Sequence, residues 1–436
     1  MCSIILKRNQ YGVFNVTNGG ALTVLDMFAG AGGLSEGFFR KGFRFIAHIE
    51  KDAHASRTLE TRALYHALRN NGMLDLYYSY LKGEVSRDLL FEETEEFSGD
   101  ISSSIFNVEI SEKTEKPLIE KIQERMKKHH IQKVDVMIGG PPCQAYSITG
   151  RSRDPHRMKD DPRNYIYHHY ISFLRTFKPD IFIFENVPGI FTAKNGCIFK
   201  DMLKRVRNLG YVTEPRILDA ADFFILQRRK RVVLMGWRSE CEFEYPTFTK
   251  NKHNFHVRDI LADLPPLCPG DGCEGAQDYT EPPSRYLIES GIRDKKDVLI
   301  QHLARTHNER DREIYRYAIK IWETEKRRIK YSELPEELKT HRNQKSFEDR
   351  FKVVAGDLHT AHTVVAHISK DGHYYIHPDI NQARSLTVRE VARIQSFPDN
   401  YKFEGPRTSQ YIQIGNAVPP LMSEKIAEQV KHMLGG

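Results

Sequence analysis

An apolar run, Val134-Asp135-Val136-Met137-Ile138, stops at Gly139-Gly140-Pro141-Pro142 and gives way to Cys143-Gln144-Ala145-Tyr146-Ser147. Such a run reads as a strand buried on both faces, the kind found in parallel sheets covered by helices. Two glycines and two prolines end the strand and present Cys143 on a stiff loop at its carboxyl end. Open α/β sheets hold their ligands at that end. A cysteine taken at random is more often a small apolar residue filling a turn. Here its partners elsewhere in the chain favour chemistry.

The same design recurs. Leu22 to Phe28 is a β-rich run that enters the turn Ala29-Gly30-Ala31-Gly32-Gly33; Leu34 to Lys41 follows with helical spacing, and Phe43 to Ile49 is a second strand closing on Glu50. Strand, glycine turn, helix, strand and terminal acid make a nucleotide-binding βαβ opening. Ser35 stands where the dinucleotide fingerprint requires its last glycine, which weakens the case for a pyrophosphate and leaves room for an adenosyl ligand whose ribose bonds to Glu50. Further on, Asp180 to Phe184 is a strand ending in Glu185-Asn186-Val187-Pro188, and the runs 211–218 and 232–237 continue the sheet. Helical stretches at 112–130 and 165–177 lie between, so the expectation is an α/β fold: a Rossmann-like, doubly wound, mostly parallel sheet. Residues 70–96 read as an insertion on the sheet's rim, and Gly99-Asp100-Ile101 as the end of a third strand. In Gln227-Arg228-Arg229-Lys230-Arg231 the alternation of an extended segment points Arg229 and Arg231 the same way.

Near Cys241 the βα alternation stops and Pro, Gly, His and charge increase. With 436 residues available, two or three domains fit: residues 1–240 as the sheet domain, 241–383 as a smaller second domain, and 384–436 returning to the first. Within the second, 310–330 reads as an amphipathic helix and Thr360 to Ile376 as a hairpin around Asp371-Gly372. Thr387 and Glu390 form a capping-box pattern. No apolar run is long enough for a membrane span and Met1 to Gly20 lacks a signal-peptide core, so the chain is expected in the cytoplasm, away from membranes. The six cysteines are scattered, as in a reducing compartment. Cys268 and Cys273 have no second pair at zinc spacing, and His359, His362, His367, His373 and His377 face different ways along their predicted strands; no metal is expected. The net charge of +7 permits a polyanionic partner without demanding one. Loop 151–163, with five basic residues against three aspartates, has the composition of a segment closing on phosphates, or of an ordinary solvated loop.

A thiol after one strand, a carboxyl after another and paired arginines beside a third have a common use. A thiolate adds to an electron-poor ring carbon, a carboxylic acid protonates a ring nitrogen, and guanidinium groups hold an exocyclic oxygen. Together they describe attack on a pyrimidine. In sequence, Asp26 to Gly33, Pro141-Pro142-Cys143-Gln144, Glu185-Asn186-Val187, Gln227 to Arg231 and Gly415-Asn416-Ala417-Val418-Pro419-Pro420 resemble the ordered signature blocks of the DNA cytosine-5 methyltransferases, prokaryotic modification type.

That resemblance implies a class I methyltransferase using S-adenosylmethionine. Cys143 would add to carbon 6 of a flipped-out cytosine, Glu185 would protonate N3, and Arg229 and Arg231 would bind the base and orient the carboxylate, with Gln144 lining the loop. Phe28 would stack on adenine, Glu50 hold the ribose, Asp100 the adenine amino group, and Asn416 contact the cofactor. Gly30, Gly32 and Gly33 would admit its methionine part. It further implies double-stranded DNA as substrate, 241–383 as target-recognition domain and a restriction endonuclease as partner in the same system; asymmetric reading of the substrate would suit a monomer. Three alternatives stay open: the same chemistry on tRNA, a nicotinamide oxidoreductase on a Rossmann sheet, and a DNA-binding protein without catalysis.

Overall fold

The computed structural model describes residues 21–142, 166–251, 253–340 and 347–436. Cys143, Gln144 and the loop 151–163 lie outside the described residues.

β1 (Thr23–Met27) leads through the glycine turn into α1 (Gly33–Arg40), and β2 (Arg44–Glu50) into α2 (Ala53–Asn70). Three more helices follow, α3 (Leu74–Lys82), α4 (Arg87–Glu93) and α5 (Glu95–Ser104), before a short β3 (Ile105–Asn107). α6 (Glu115–Lys128), β4 (Val136–Gly139), α7 (Tyr167–Phe177), β5 (Ile181–Asn186), α8 (Cys197–Asn208), β6 (Tyr211–Asp219) and β7 (Lys230–Arg238) complete the sheet and its helices. The seven strands lie in the order β3-β2-β1-β4-β5-β7-β6. All pairs from β3 to β5 are parallel, and β7 runs antiparallel to both neighbours. β6 is therefore parallel to β5, and its carboxyl end shares the side that carries Glu50 and Glu185.

Alternation along the strands fills the two faces. Phe182 and Phe184 of β5 join α6, α7 and α8 in one core, while Ile181 and Ile183 join α1 and the last helix in the other. Each such fully buried side chain contributes about 1.5–3 kcal/mol, which explains why these strands were plain in the sequence.

The third strand requires a correction. Gly99-Asp100-Ile101 is helical, within α5, and the strand begins only at Ile105. The insertion is also more than rim decoration. Tyr77, Tyr78 and Tyr80 of α3 donate to Asn400 O (2.8 Å), Asp297 Oδ1 (3.0 Å) and Glu404 Oε1 (2.7 Å), so it straps α2 to two distant stretches of chain.

Beyond β7 lie α9 (Glu309–Glu325), α10 (Val388–Ile394), α11 (Arg407–Asn416) and α12 (Pro420–Met433). α9 packs on Ile329, Tyr331, Phe351 and Val353 in a small core of its own. A larger core runs across residue 384, joining Val257, Tyr286, Leu299 and Val354 to Val391, Phe397, Tyr411 and Ile414. The capping box of Thr387 and Glu390 starts α10, with both reciprocal bonds made.

The hairpin expected at 360–376 is absent from the structure, where a 3₁₀ turn covers Ala366–Ser369. The Asp371-Gly372 turn signal was sound, since Gly372 has φ +79°. Its arms pair elsewhere: Ala361 exchanges backbone bonds with Leu226 and Arg228, while His373 and Ile376 bond to Lys352 and Val354.

Candidate active site

β1 and β2 lie side by side, and their carboxyl ends hold the glycine turn. Phe28, Gly30 and Gly32 have φ values of +58°, +56° and +84°; glycine adopts this left-handed region freely, whereas Phe28 pays a conformational cost there. Ala29 N donates to Ile49 O and Gly32 N to Ala29 O (both 3.0 Å). Glu50, at the end of β2, accepts from Gly30 N through Oε2 and from Asp52 N through Oε1 (both 2.8 Å). Burial pushes its carboxyl up from the usual range, and these amide bonds oppose the shift. Ser35, the departure from the dinucleotide fingerprint, donates to buried Asp26, which also meets His48 Nδ1 at 3.1 Å. Its hydroxyl thus serves the interior behind the turn.

This end of the sheet suits an adenosyl ligand that carries no phosphate. Among the described residues a Cβ on Gly30 would meet nothing within 4 Å, and the side chain next to the turn is a carboxylate, Glu50, rather than a phosphate-binding cation. Asn416 is exposed at the end of α11. Asp100 does not share this location. It pairs with Arg125 (2.9 Å) and His129 (3.0 Å), and Arg125 is anchored to Ile46 O at 2.8 Å. Ile46 precedes Glu50 by four residues, about 13 Å along a strand. The residue that ends β3 beside Glu50 is Asn107, whose Nδ2 lies 3.0–3.1 Å from Glu50 O, Lys51 O and Ser56 Oγ. The signal was present in Ile105-Phe106, an apolar pair immediately before a polar residue, but too short to read as a strand.

At the centre of the sheet β4 and β5 end together. Glu185 is 9% exposed, and Arg231 Nε lies 2.8 Å from its Oε1. A Cβ on Gly140 would stand 2.9 Å from Glu185 Oε2, so the carboxyl borders the loop that continues to Cys143. Asn186 Nδ2 donates to Pro141 O (3.1 Å) and ties that loop to β5. Burial raises the Glu185 carboxyl above its ordinary value, with Arg231 and then Arg229 opposing. Arg229 is fully buried. Its guanidinium donates to the main-chain carbonyls of Val364, Gly415 (3.0 Å) and Ala417 (2.9 Å), tying two distant segments to the site, while Arg231 ion-pairs with Glu185. Gln227, likewise buried, bonds Ile394 O (3.1 Å) and accepts from Val364 N (2.8 Å).

A seven-stranded sheet with its sixth and seventh strands antiparallel, a glycine turn after β1 and an acid after β2 define the class I methyltransferase fold. The match to the C-5 cytosine-specific DNA methylase family model extends over residues 22–72 and 98–432. Its interruption coincides with the α3–α4 insertion. The chain is 44% identical to type II methyltransferase M.Bpa9945I of Bacillus paralicheniformis, over 95% of this chain and 100% of that one. It is 30% identical to type II methyltransferase M.DdeI of Desulfomicrobium norvegicum, over 94% and 88%. Among solved structures, a candidate DNA modification methyltransferase encoded within an E. coli prophage superimposes with a TM-score of 0.63 at 22% identity, over 95% and 100% of the two chains. The chain belongs to the C-5 cytosine-specific DNA methylase family. It is a DNA (cytosine-5-)-methyltransferase, with S-adenosylmethionine as the methyl donor that family membership implies.

Proposed function

We propose that this chain is the modification enzyme of a type II restriction–modification system, methylating cytosine in one double-stranded DNA sequence in the cytoplasm through a covalent bond to Cys143. The observation that carries the reading is the buried Glu185–Arg231 pair bordering Gly140, at the root of the Pro-Pro-Cys loop.

The target carbons are shielded within a duplex, so the cytosine must leave the stack, at about a few kcal/mol. The Cys143 thiolate then bonds to carbon 6 while Glu185 gives its proton to N3, and the displaced electron pair makes carbon 5 nucleophilic. A carboxyl raised by burial keeps that proton closer to neutral pH than an exposed one. Arg231 offsets the negative charge left on Glu185 after transfer. S-adenosylmethionine supplies an electrophilic methyl group to carbon 5. Loss of the carbon-5 proton to a base, return of the N3 proton to Glu185 and expulsion of the thiolate restore the ring and the enzyme.

The donor is held at the turn Gly30–Gly33 with Glu50, Phe28 and Asn416 around it. Asn107, in place of Asp100, stands beside the adenine. Residues 241–383 read the target sequence. Arg229 serves the site as a brace, its guanidinium bonded to carbonyls of two distant segments, at Val364 and at Gly415 and Ala417.

The test is methyl transfer from labelled S-adenosylmethionine to duplex DNA and to tRNA, followed by trapping on duplex containing 5-fluorocytosine. Label in duplex DNA and a stable adduct that Cys143→Ala abolishes are expected. Label confined to tRNA, or adduct formation by Cys143→Ala, overturns the reading.

A further inference from the structure

Residues 398–404, between α10 and α11, reach the glycine turn through one side chain. The Tyr401 hydroxyl donates to Ala31 O. The turn's own amides use the neighbouring carbonyls, Gly32 N on Ala29 O (3.0 Å) and Glu36 N on Gly32 O (2.8 Å); Ala31 O receives its bond from 370 residues further along the chain. A Cβ on Gly32 would stand 3.0 Å from the Tyr401 hydroxyl and 2.8 Å from Leu59 Cδ2, so the turn is pinched between α2 and this phenol.

Tyr401 is itself fixed on every side. It is fully buried, and the Arg62 guanidinium lies 4.6 Å from its ring centroid. Arg62 is held by two bonds to Glu36 of α1, at 2.7 and 2.6 Å. The Tyr401 main-chain carbonyl accepts from buried Arg389 (3.0 Å), which also donates to Ile300 O (3.1 Å).

We infer that Tyr401 is a positioning residue for the methyl donor, its hydroxyl clamping Ala31 so that the turn keeps the left-handed shape that receives the ligand. This rests on the reading of Gly30–Gly33 as the donor site. Without the hydroxyl, Ala31 O is a buried acceptor without this donor, and the turn must shift or loosen to satisfy it. A loosened turn has to be ordered again on each binding event, which weakens affinity without touching the chemical step.

The test compares full-length Tyr401→Phe with Tyr77→Phe, which deletes a similar buried hydroxyl, bonded to Asn400 O at 2.8 Å, but leaves the turn untouched. For Tyr401→Phe, Kd and KM for S-adenosylmethionine should rise about tenfold, the effect of one buried hydrogen bond. Its kcat and KM for duplex DNA should change by less than about twofold, and amide hydrogen exchange at residues 30–33 should quicken. Tyr77→Phe should leave donor affinity as it is. Unchanged donor affinity in Tyr401→Phe, or an equal loss in Tyr77→Phe, overturns the inference. Glu50→Ala separates the two failures: donor affinity insensitive to Glu50→Ala removes the site reading itself, whereas a loss there with none in Tyr401→Phe removes only the clamp.

Discussion

Glu50 and Glu185 occupy equivalent places, each at the carboxyl end of a parallel strand, and burial raises both carboxyls. They differ in what opposes burial. Backbone amides of Asp52 and Gly30 steady Glu50; the guanidinium groups of Arg231 and Arg229 steady Glu185. Amides are fixed dipoles set by the course of the chain, so a carboxylate held by them in turn fixes that course. Guanidinium groups supply full positive charge, which offsets the negative charge of the carboxylate beside them once its proton has been given up. One acid shapes a turn, and the other is equipped to exchange a proton.

The sharpest way to break this contrast is Glu185→Gln. Its single-turnover methylation rate should fall by about 10²–10⁴-fold, the usual worth of a positioned acid, with donor affinity unchanged; a comparable loss of donor binding would erase the distinction. Glu50→Gln should give the reverse. One of two amide donors then faces an NH₂ group, so Kd for the donor, measured by calorimetry, should rise about tenfold, while the rate at saturating donor stays near that of the parent. Arg231→Ala sharpens the electrostatic half. In the proposed step Glu185 acts in its protonated form, and losing the cation would raise its pKa further. The alkaline fall in the pH–rate profile should therefore move to higher pH, although the rate itself drops. The smallest effect concerns stability. Asp297 is pushed up to about 6 by burial and by Asp399, so the folded state binds its proton more tightly than the unfolded state. This contribution is complete below the ordinary value and is lost as pH rises through about 6. Asp297→Asn should flatten the dependence of Tm on pH between about 4 and 6.

What was legible in the sequence follows from the same physics. Strands β1, β2, β4 and β5 are buried on both faces, so their apolar runs and abrupt polar endings were readable without partners. β3 is three residues long and carries no periodicity, which let the helical Gly99-Asp100-Ile101 stand in for it. Arg231 lies in β7 and Arg229 just before it, and alternation, which points both the same way, says nothing about partners. Only the fold shows that Arg229 meets Val364, Gly415 and Ala417, between 135 and 188 residues away. The fully buried arginines of the second half were hidden for the same reason. Arg393 meets Asp263 and Asp399, and Arg384 meets Glu390; in a list of residues they look like surface charge.

Helix α1, which begins the glycine turn's far side, lies directly against α12. A Cβ on Gly37 would collide with Glu424 N and Ser423 C, both at 2.3 Å, and one on Gly33 with Val418 O, also at 2.3 Å, while Ser423 donates to Leu34 O. The first turn of the sheet is thus finished by residues made almost four hundred positions later. Helix α1 therefore cannot complete its burial until the chain has reached α12, so the opening βαβ unit and this distant helix must come together as one folding event.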